Sequence, residues 1–307
     1  MEKVYRNFFR KFYMRTGHFI PAKPINQCVF PGDFFQIRNG EMVILGNIFR
    51  NGIIDPEFVE FGYGIPLNPA AWHFSDGVKK PYSGRGTGEG PITGEFEYSK
   101  QILSFTETGS FFFSGNNPES VKIMNWHSLQ QTLIIKLTQT CYSFREVYVV
   151  TETATMSNWS LAIGGAENAE LEIATDTQNF GLVDIFGHES AKTIQSKDIE
   201  YYHREKKRKP AFFKAQKLLV QDDKVGVYMS DLVMQKCGQN NWASDFFDYG
   251  FQLDTEFNSE IPSSAETGIL DLLQAGQLNP NTALNYFKWG EANLDDIEKL
   301  FLTYGDR

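Results

Sequence analysis

The sequence predicts an α+β fold: a twisted, mostly antiparallel sheet with a basic helix at its N-terminal end and a short helical tail at its C-terminal end. Three observations carry this. The stretch from Arg145 to Asp176, REVYVVTETATMSNWSLAIGGAENAELEIATD, reads as two long strands joined by a turn. In it Trp159, Leu161 and Ile163 alternate with Asn158, Ser160, Ala162 and Gly164, and Leu171 and Ile173 with Glu170 and Glu172. A period of two marks a strand with one dry and one wet face. The 27 phenylalanines and 13 tyrosines also favour β-structure. Beyond Ser263, helix caps and stops punctuate the chain at short intervals.

Residues 2–15 form the first expected element. Val4, Tyr5, Phe8, Phe9 and Phe12 make an aromatic stripe at helical spacing, ringed by Lys3, Arg6, Arg10, Lys11 and Arg15. A basic amphipathic helix of this kind lies on anionic membranes, or packs its aromatics on a sheet with the bases in solvent. Next, Phe34–Arg38 and Glu41–Phe49 flank Asn39-Gly40, a two-residue hairpin signal. Residues 50–100 are rich in Gly and Pro. Within them GRGTGEG (Gly84–Gly90) follows no apolar strand and opens no helix, so it reads as a flexible loop, not a nucleotide-binding turn. Strands are expected at Gly94–Lys100, Gln101–Ser114 and Leu129–Thr140, the second with its phase broken at Phe111-Phe112-Phe113.

Arg204, Lys206, Lys207, Arg208 and Lys209 crowd into six positions. Such a cluster suits a nuclear-targeting or nucleic-acid patch, a solvated strand end or a lipid-headgroup site. The chain as a whole is acidic, at −9, and carries no motif of a nucleic-acid fold, so no nucleic-acid partner is expected.

The division of the chain follows composition. Residues 1–237 make a β-rich body, 238–265 an irregular polar linker, and 266–307 a tail of three short helices. Ser263-x-x-Glu266 is a capping box with Gly276 as a stop. Asn279-Pro280 opens a second helix that Gly290 ends, and Asn293 caps a third with Asp295 and Asp296 in its first turn. Their apolar positions, Leu270, Leu273, Leu284, Phe287, Leu294, Ile297, Leu300 and Phe301, are expected to dock on the body. Residues 221–307 hold 15 acidic and 5 basic side chains, net −10, against 23 and 24 in the first 220, net +1. That asymmetry suits an intramolecular cover over a basic surface.

No signal-peptide pattern opens the chain and no apolar run is long enough for a membrane helix, so no export and no helical span are expected. Cys28, Cys141 and Cys237 are odd in number and far apart, which argues against a disulfide framework or a cysteine metal site. The sequence contains no HExxH, GxSxG, Walker or EF-hand pattern, and its five histidines show no ligand spacing. An enzyme, a metal and a cofactor are therefore not predicted.

In the order of its parts the chain resembles the pore-forming half of gasdermins: a basic aromatic first helix, a strand pair with Gly and Pro turns, and two long amphipathic hairpin regions. Tyr148–Ala174 resembles the family's strand pair, and His188–Leu219 its return strand and following helix region. The short acidic tail is similar to the compact inhibitory C-terminus of bacterial members. Unlike those members, whose first cysteine lies close to the N-terminus, this chain has its first at Cys28. The resemblance implies a cytoplasmic, autoinhibited monomer that proteolysis of the tail activates. The released body would meet membrane lipids and oligomerise into a β-barrel pore. Lys3, Arg6, Phe8, Arg10, Lys11, Phe12, Arg204, Lys206, Lys207 and Arg208 would then bind lipid. Trp159, Leu161, Ile163, Leu171 and Ile173 would form membrane wall, and the apolar tail residues would make the inhibitory contact. The alternative is a β-rich structural or assembly protein, such as a virion component, whose helical tail binds a partner.

Overall fold

The computed structural model describes residues 2–90, 94–138, 147–175, 192–221 and 280–302. Helix α1 (Glu2–Arg15) is followed by β1 (Ile20–Pro21) and the hairpin of β2 (Asp33–Arg38) and β3 (Glu41–Asn47). Asn39 and Gly40 turn that hairpin with φ of 51° and 76°. Two successive positive φ values give the turn whose twist matches the flanking strands, as the Asn-Gly pair foretells.

Six strands follow: β4 (Phe61–Pro66), β5 (His73–Asp76), β6 (Val78–Gly90), β7 (Gly94–Phe105), β8 (Phe111–Asn116) and β9 (Glu119–Ile123). Helix α2 (Trp126–Thr138) separates them from β10 (Tyr148–Thr155), β11 (Asn158–Gly164), β12 (Ala169–Thr175), β13 (Lys192–Lys197), β14 (Ile199–Glu205) and β15 (Phe212–Val220). The described tail holds α3 (Pro280–Tyr286), β16 (Phe287–Glu291) and α4 (Leu294–Lys299). The class is α+β, and every strand pairing among the described residues is antiparallel.

One ribbon of four strands organises the molecule. A base sheet contains the order β15-β10-β9-β4, a middle sheet the order β14-β11-β8-β5, and a distal sheet the order β13-β12-β7-β6. In each column the chain passes directly from one sheet to the next, so the three are one ribbon with two creases. Backbone hydrogen bonds continue across both. At the first crease Ser157 donates to the carbonyl of Asn116 at 3.0 Å and Leu67 to that of Pro118 at 3.0 Å. At the second, Thr106 donates to Gly77 at 2.8 Å, Gly109 to Gly164 at 2.9 Å and Gly165 to Asp198 at 2.9 Å. Each strand turns the second crease at a left-handed residue: Gly77, Gly109, Asn168 and Asp198, with φ from 54° to 84°. Gly77 admits no substitute, because a Cβ there would stand 2.2 Å from the Ser110 hydroxyl.

The base sheet is extended by β2 and β3 beside β10, and by β1 and β16 beside β15. It is covered on both faces. Tyr148 and Val150 of β10 face the cluster that holds Phe8, Phe9 and Phe12 of α1, whereas Val147 and Val149 face Leu129, Leu133 and Leu137 of α2. A strand buried on both faces reads as a continuous apolar run. The same rule explains Phe111-Phe112-Phe113. Phe111 and Phe113 enter the α1 cluster, and Phe112 enters a smaller core with Leu103, Phe105, Ala162, Leu171 and Ile173 shared by the middle and distal sheets.

Several expectations need correction. Residues 145–176 are not two strands joined by a turn; their described part forms β10, β11 and β12, one in each sheet of the ribbon and none paired with another. In β11 there is no wet face: Ser160 and Ala162 are as buried as Trp159, Leu161 and Ile163, because the middle sheet lies between α1 and the distal sheet. In β12 the expected alternation holds, with Leu171 and Ile173 buried, Glu170 exposed and Glu172 half-buried.

Of the residues expected as a strand from Leu129 to Thr140, 129–138 belong to α2 and the last two lie outside the described residues; Leu129, Leu133 and Leu137 recur every fourth residue and outweigh the β-branched neighbours. GRGTGEG is not a loop. It belongs to β6, with Gly84, Gly86 and Gly88 opposite Lys100, Tyr98 and Phe96; a ladder needs only backbone, which glycine supplies. The segment from Ile199 to Val220 is two strands with no helix. In the tail, Phe287–Glu291 is an edge strand on β15 where a helix ending at Gly290 was expected.

Candidate functional site

No metal cluster occurs among the described residues, and no helix there is long and apolar enough to cross a membrane. Chemistry concentrates where the tail meets the body. Helix α4 starts with a capping box: the Asn293 side chain accepts from the backbone N–H groups of Asp295 and Asp296, and the Asn293 N–H donates to the Asp296 carboxylate at 2.8 Å. This cap aims Asp296 into the base sheet. There Lys217 of β15 donates to both its oxygens at 2.9 and 2.8 Å, and the Tyr148 hydroxyl of β10 donates at 2.8 Å. Asp296 is only 2% exposed.

Burial alone would raise the Asp296 pKa. Hydrogen bonds from Lys217, the Asn293 N–H and Tyr148, with the Lys217 charge, outweigh it and hold the carboxyl below its ordinary value of 3.8. A depressed folded-state pKa stabilises the fold above the unfolded value, and that contribution vanishes as pH falls through the folded one. The stability difference between the natural chain and its Asp296→Asn variant is therefore expected to be constant from neutral pH down to about 5 and to shrink below 3.8. Urea titrations of both chains across pH check this; a difference that shrinks between pH values of about 7 and 5 would show another group in control.

Around this pair the tail makes further contacts with the body. Ile297 and Leu300 are buried beside α1, Leu294 packs at the margin of the same cluster, and Phe301 sets its ring 5.0 Å from Phe9. Glu298 pairs with both Arg6 and Arg10 of α1, the latter at 3.5 Å. Lys23 donates to the Leu300 carbonyl and sits 4.7 Å from the Phe301 ring centre. On the far side of the base sheet, Phe287, Ala283 and Tyr286 cover Ile134 of α2 and Leu218 of β15, with Leu284 at their edge. The Trp289 indole donates to the Gln130 carbonyl at 3.0 Å. Leu270 and Leu273 lie outside the described residues.

The nominated lipid-binding residues divide. Lys11 is exposed, and Arg6 and Arg10 are half-exposed under Glu298. Phe8 and Phe12 are fully buried and do not face solvent in this structure. Their stripe is the centre of the largest core, where Phe12 stacks on Phe212 at 4.8 Å and meets Trp72 and Phe113 edge-on. In the basic cluster Arg204 is half-buried in β14, and Lys206, Lys207 and Arg208 are exposed on the turn at the first crease. Arg208 pairs with Glu119, and Glu205 braces the turn by accepting from the Lys206 and Lys207 N–H groups at 3.1 Å each and pairing with Lys209 at 2.6 Å. The Lys217–Asp296 pair is absent from the sequence-based set. Its one available signal was Lys217 standing at a buried phase of an apolar strand.

No family model matches the chain, and no curated protein matches it by sequence. Among solved structures it is similar to the gasdermin A3 membrane pore, at 9% identity and a TM-score of 0.31, over 71% of this chain and 90% of that one. It is also similar to a bacterial gasdermin from Bradyrhizobium tropiciagri, at 9% identity and a TM-score of 0.29, over 66% of this chain and 81% of that one. At such TM-scores the likeness fixes neither fold nor function.

Proposed function

We propose that the chain is an autoinhibited pore-forming protein of gasdermin type. At rest the tail keeps it a cytoplasmic monomer. A protease removes the tail, the body binds membrane lipids, and copies join edge to edge so that the distal ribbon enters the bilayer within a closed β-barrel.

The sense of the ribbon's two edges carries this reading. Three antiparallel steps separate β14 from β5, so the edge strands run in opposite directions. A second copy can therefore set its β5 beside β14 and continue the same antiparallel pattern, and repetition closes a ring. Closure is what a membrane sheet requires, since open edges leave backbone groups unsatisfied in lipid. β6 and β7 have 13 and 12 residues, beyond the roughly 9–11 that a tilted membrane strand needs. The alternation of Leu171 and Ile173 with Glu170 and Glu172 suits a wall with lipid on one side and water on the other. Removal of the tail also frees Arg6 and Arg10 from Glu298. With Lys3, Lys11, Lys206 and Lys207 they supply charges worth about 1 kcal/mol each at an anionic surface.

The experiment is dye release from anionic vesicles by the full chain with a protease site placed within residues 238–265. Release is expected after cleavage and not before. Cleaved protein that binds vesicles and releases nothing overturns the proposal. Stable oligomers without lipid and without release would favour the assembly-protein reading.

A further inference from the structure

We infer that the free edge of β4 is a docking site for a short extended segment of another protein, apolar with bases at its C-terminal end, which adds to the base sheet as one more strand. The site belongs to the resting, full-length chain and does not depend on pore formation. Among the described residues β4 pairs only with β9, so its other side presents unpaired backbone groups. Such an edge is a template for a further strand. Beside it stand three of the most exposed large apolar side chains among the described residues: Phe58 at 70%, Tyr63 at 73% and Met124 at 56%. Asn125 donates to the Phe58 carbonyl at 2.8 Å and the Met124 N–H to the Glu60 carbonyl at 2.7 Å. Met124 lies over Gly62, where a Cβ would stand 2.9 Å from its sulfur, and the Phe61 and Tyr63 ring centres are 5.8 Å apart. Clustered exposure of this kind marks a surface that a partner covers.

The strand is shaped to present this surface. Gly62 lies opposite Lys122 and Ile65 opposite Ser120, so Tyr63 and Gly64 share the single position of Val121. This bulge, with Gly64 at a φ of 60°, turns Tyr63 outward. A Cβ at Gly64 would meet nothing within 4 Å, which leaves room for a second backbone to approach. The bulge and Pro66 also keep any added ladder short, so the side chains around it set the choice of partner.

Charge gives the partner its sign. From residue 51 to residue 78 the chain holds Asp55, Glu57, Glu60 and Asp76 and neither Lys nor Arg. Asp55, Glu57 and Glu60 are exposed around Phe58, with Lys122 of β9 as the base opposite Gly62. Edge strands are commonly guarded by lysine; β4 has none and suits a strand that brings its own bases. Antiparallel addition, the sense of every pairing among the described residues, sets the C-terminal end of that strand beside these acids. Backbone pairing supplies affinity in this mode and the side chains specificity. A second copy of the resting chain does not offer the matching edge. The pairings through β9 and β10 place β4 level with residues 212–214 of β15, and that border is held by the chain's own β1 at Phe212 and Phe213.

The test is fluorescence anisotropy of a labelled peptide, valine-threonine-valine-leucine followed by three lysines, titrated with the full-length, uncleaved chain. Binding is expected, and Tyr63→Asp or Phe58→Asp is expected to weaken it about tenfold. Each of these variants adds a negative charge, so attraction of charge alone would tighten binding instead. Met124→Asp repeats the comparison should either variant not fold. Glu57→Lys with Glu60→Lys is also expected to weaken binding, and the same peptide methylated on alternate backbone amides is expected not to bind. No binding by the natural chain, equal binding by the natural and Tyr63→Asp chains, or undiminished binding of the methylated peptide overturns the inference. Sedimentation of the chain alone tests the other occupant: a dimer that Tyr63→Asp dissolves would assign the patch to a second copy and overturn the inference as well.

Discussion

Replacing Phe12 by alanine is expected to cost about 3–5 kcal/mol, a large share of the roughly 5–15 kcal/mol that holds a domain together. The ring is fully buried and touches five other aromatic rings: Phe8, Trp72, Phe74, Phe113 and Phe212. These come from three sources: the helix itself, the middle sheet with the turn before it, and the base sheet. Deletion therefore opens a cavity at the first crease, where no single element can move in to fill it. Lys11→Ala, one residue away and exposed, is expected to change stability by less than about 0.5 kcal/mol. Urea unfolding followed by tryptophan fluorescence compares the two. A Phe12→Ala chain within about 1 kcal/mol of the natural one would mean that α1 is a detachable surface helix.

Asp296→Asn is expected to cost about 3–5 kcal/mol, concentrated in the docking of the tail. The change keeps the shape of the side chain and removes its charge, leaving the Lys217 ammonium buried without a counter-ion. An uncompensated buried charge is what makes such a loss large; the intact pair itself is worth much less, since both ions were taken out of water. The double replacement Lys217→Met with Asp296→Leu is accordingly expected to recover most of the loss. Hydrogen exchange of the β16 and α4 amides reads the effect directly. Faster exchange there, with β10 and β15 unchanged, is the expected pattern. Uniform acceleration across the sheet would show that Asp296 supports the whole fold and not the tail alone.

The sequence by itself determined the local elements whose signal is short-range. The Asn39-Gly40 turn, the aromatic stripe of α1 and the Asn293 cap of α4 all lie where their residue types require, because a positive φ, a helical period and an unsatisfied N–H are settled within a few residues. The alternation in β12 was legible for the same reason. What lay in the tertiary structure was burial on a second face. A strand period reports one dry side; it does not say whether the other side meets water. Ser160 and Ala162 looked wet and are dry, because the distal sheet folds under the middle one at a crease set by Gly77, Gly109, Asn168 and Asp198. Phe111-Phe112-Phe113 looked like a broken phase and is a strand between two cores. The same limit hid the tail's attachment. Lys217 and Asp296 are 79 residues apart; Asp296 alone reads as an ordinary first-turn acid, and Lys217, although at a buried phase of its strand, names no partner. Only the approach of α4 to the base sheet brings them together, because the energy of an ion pair depends on distance and burial, and neither is written in the order of residues along the chain.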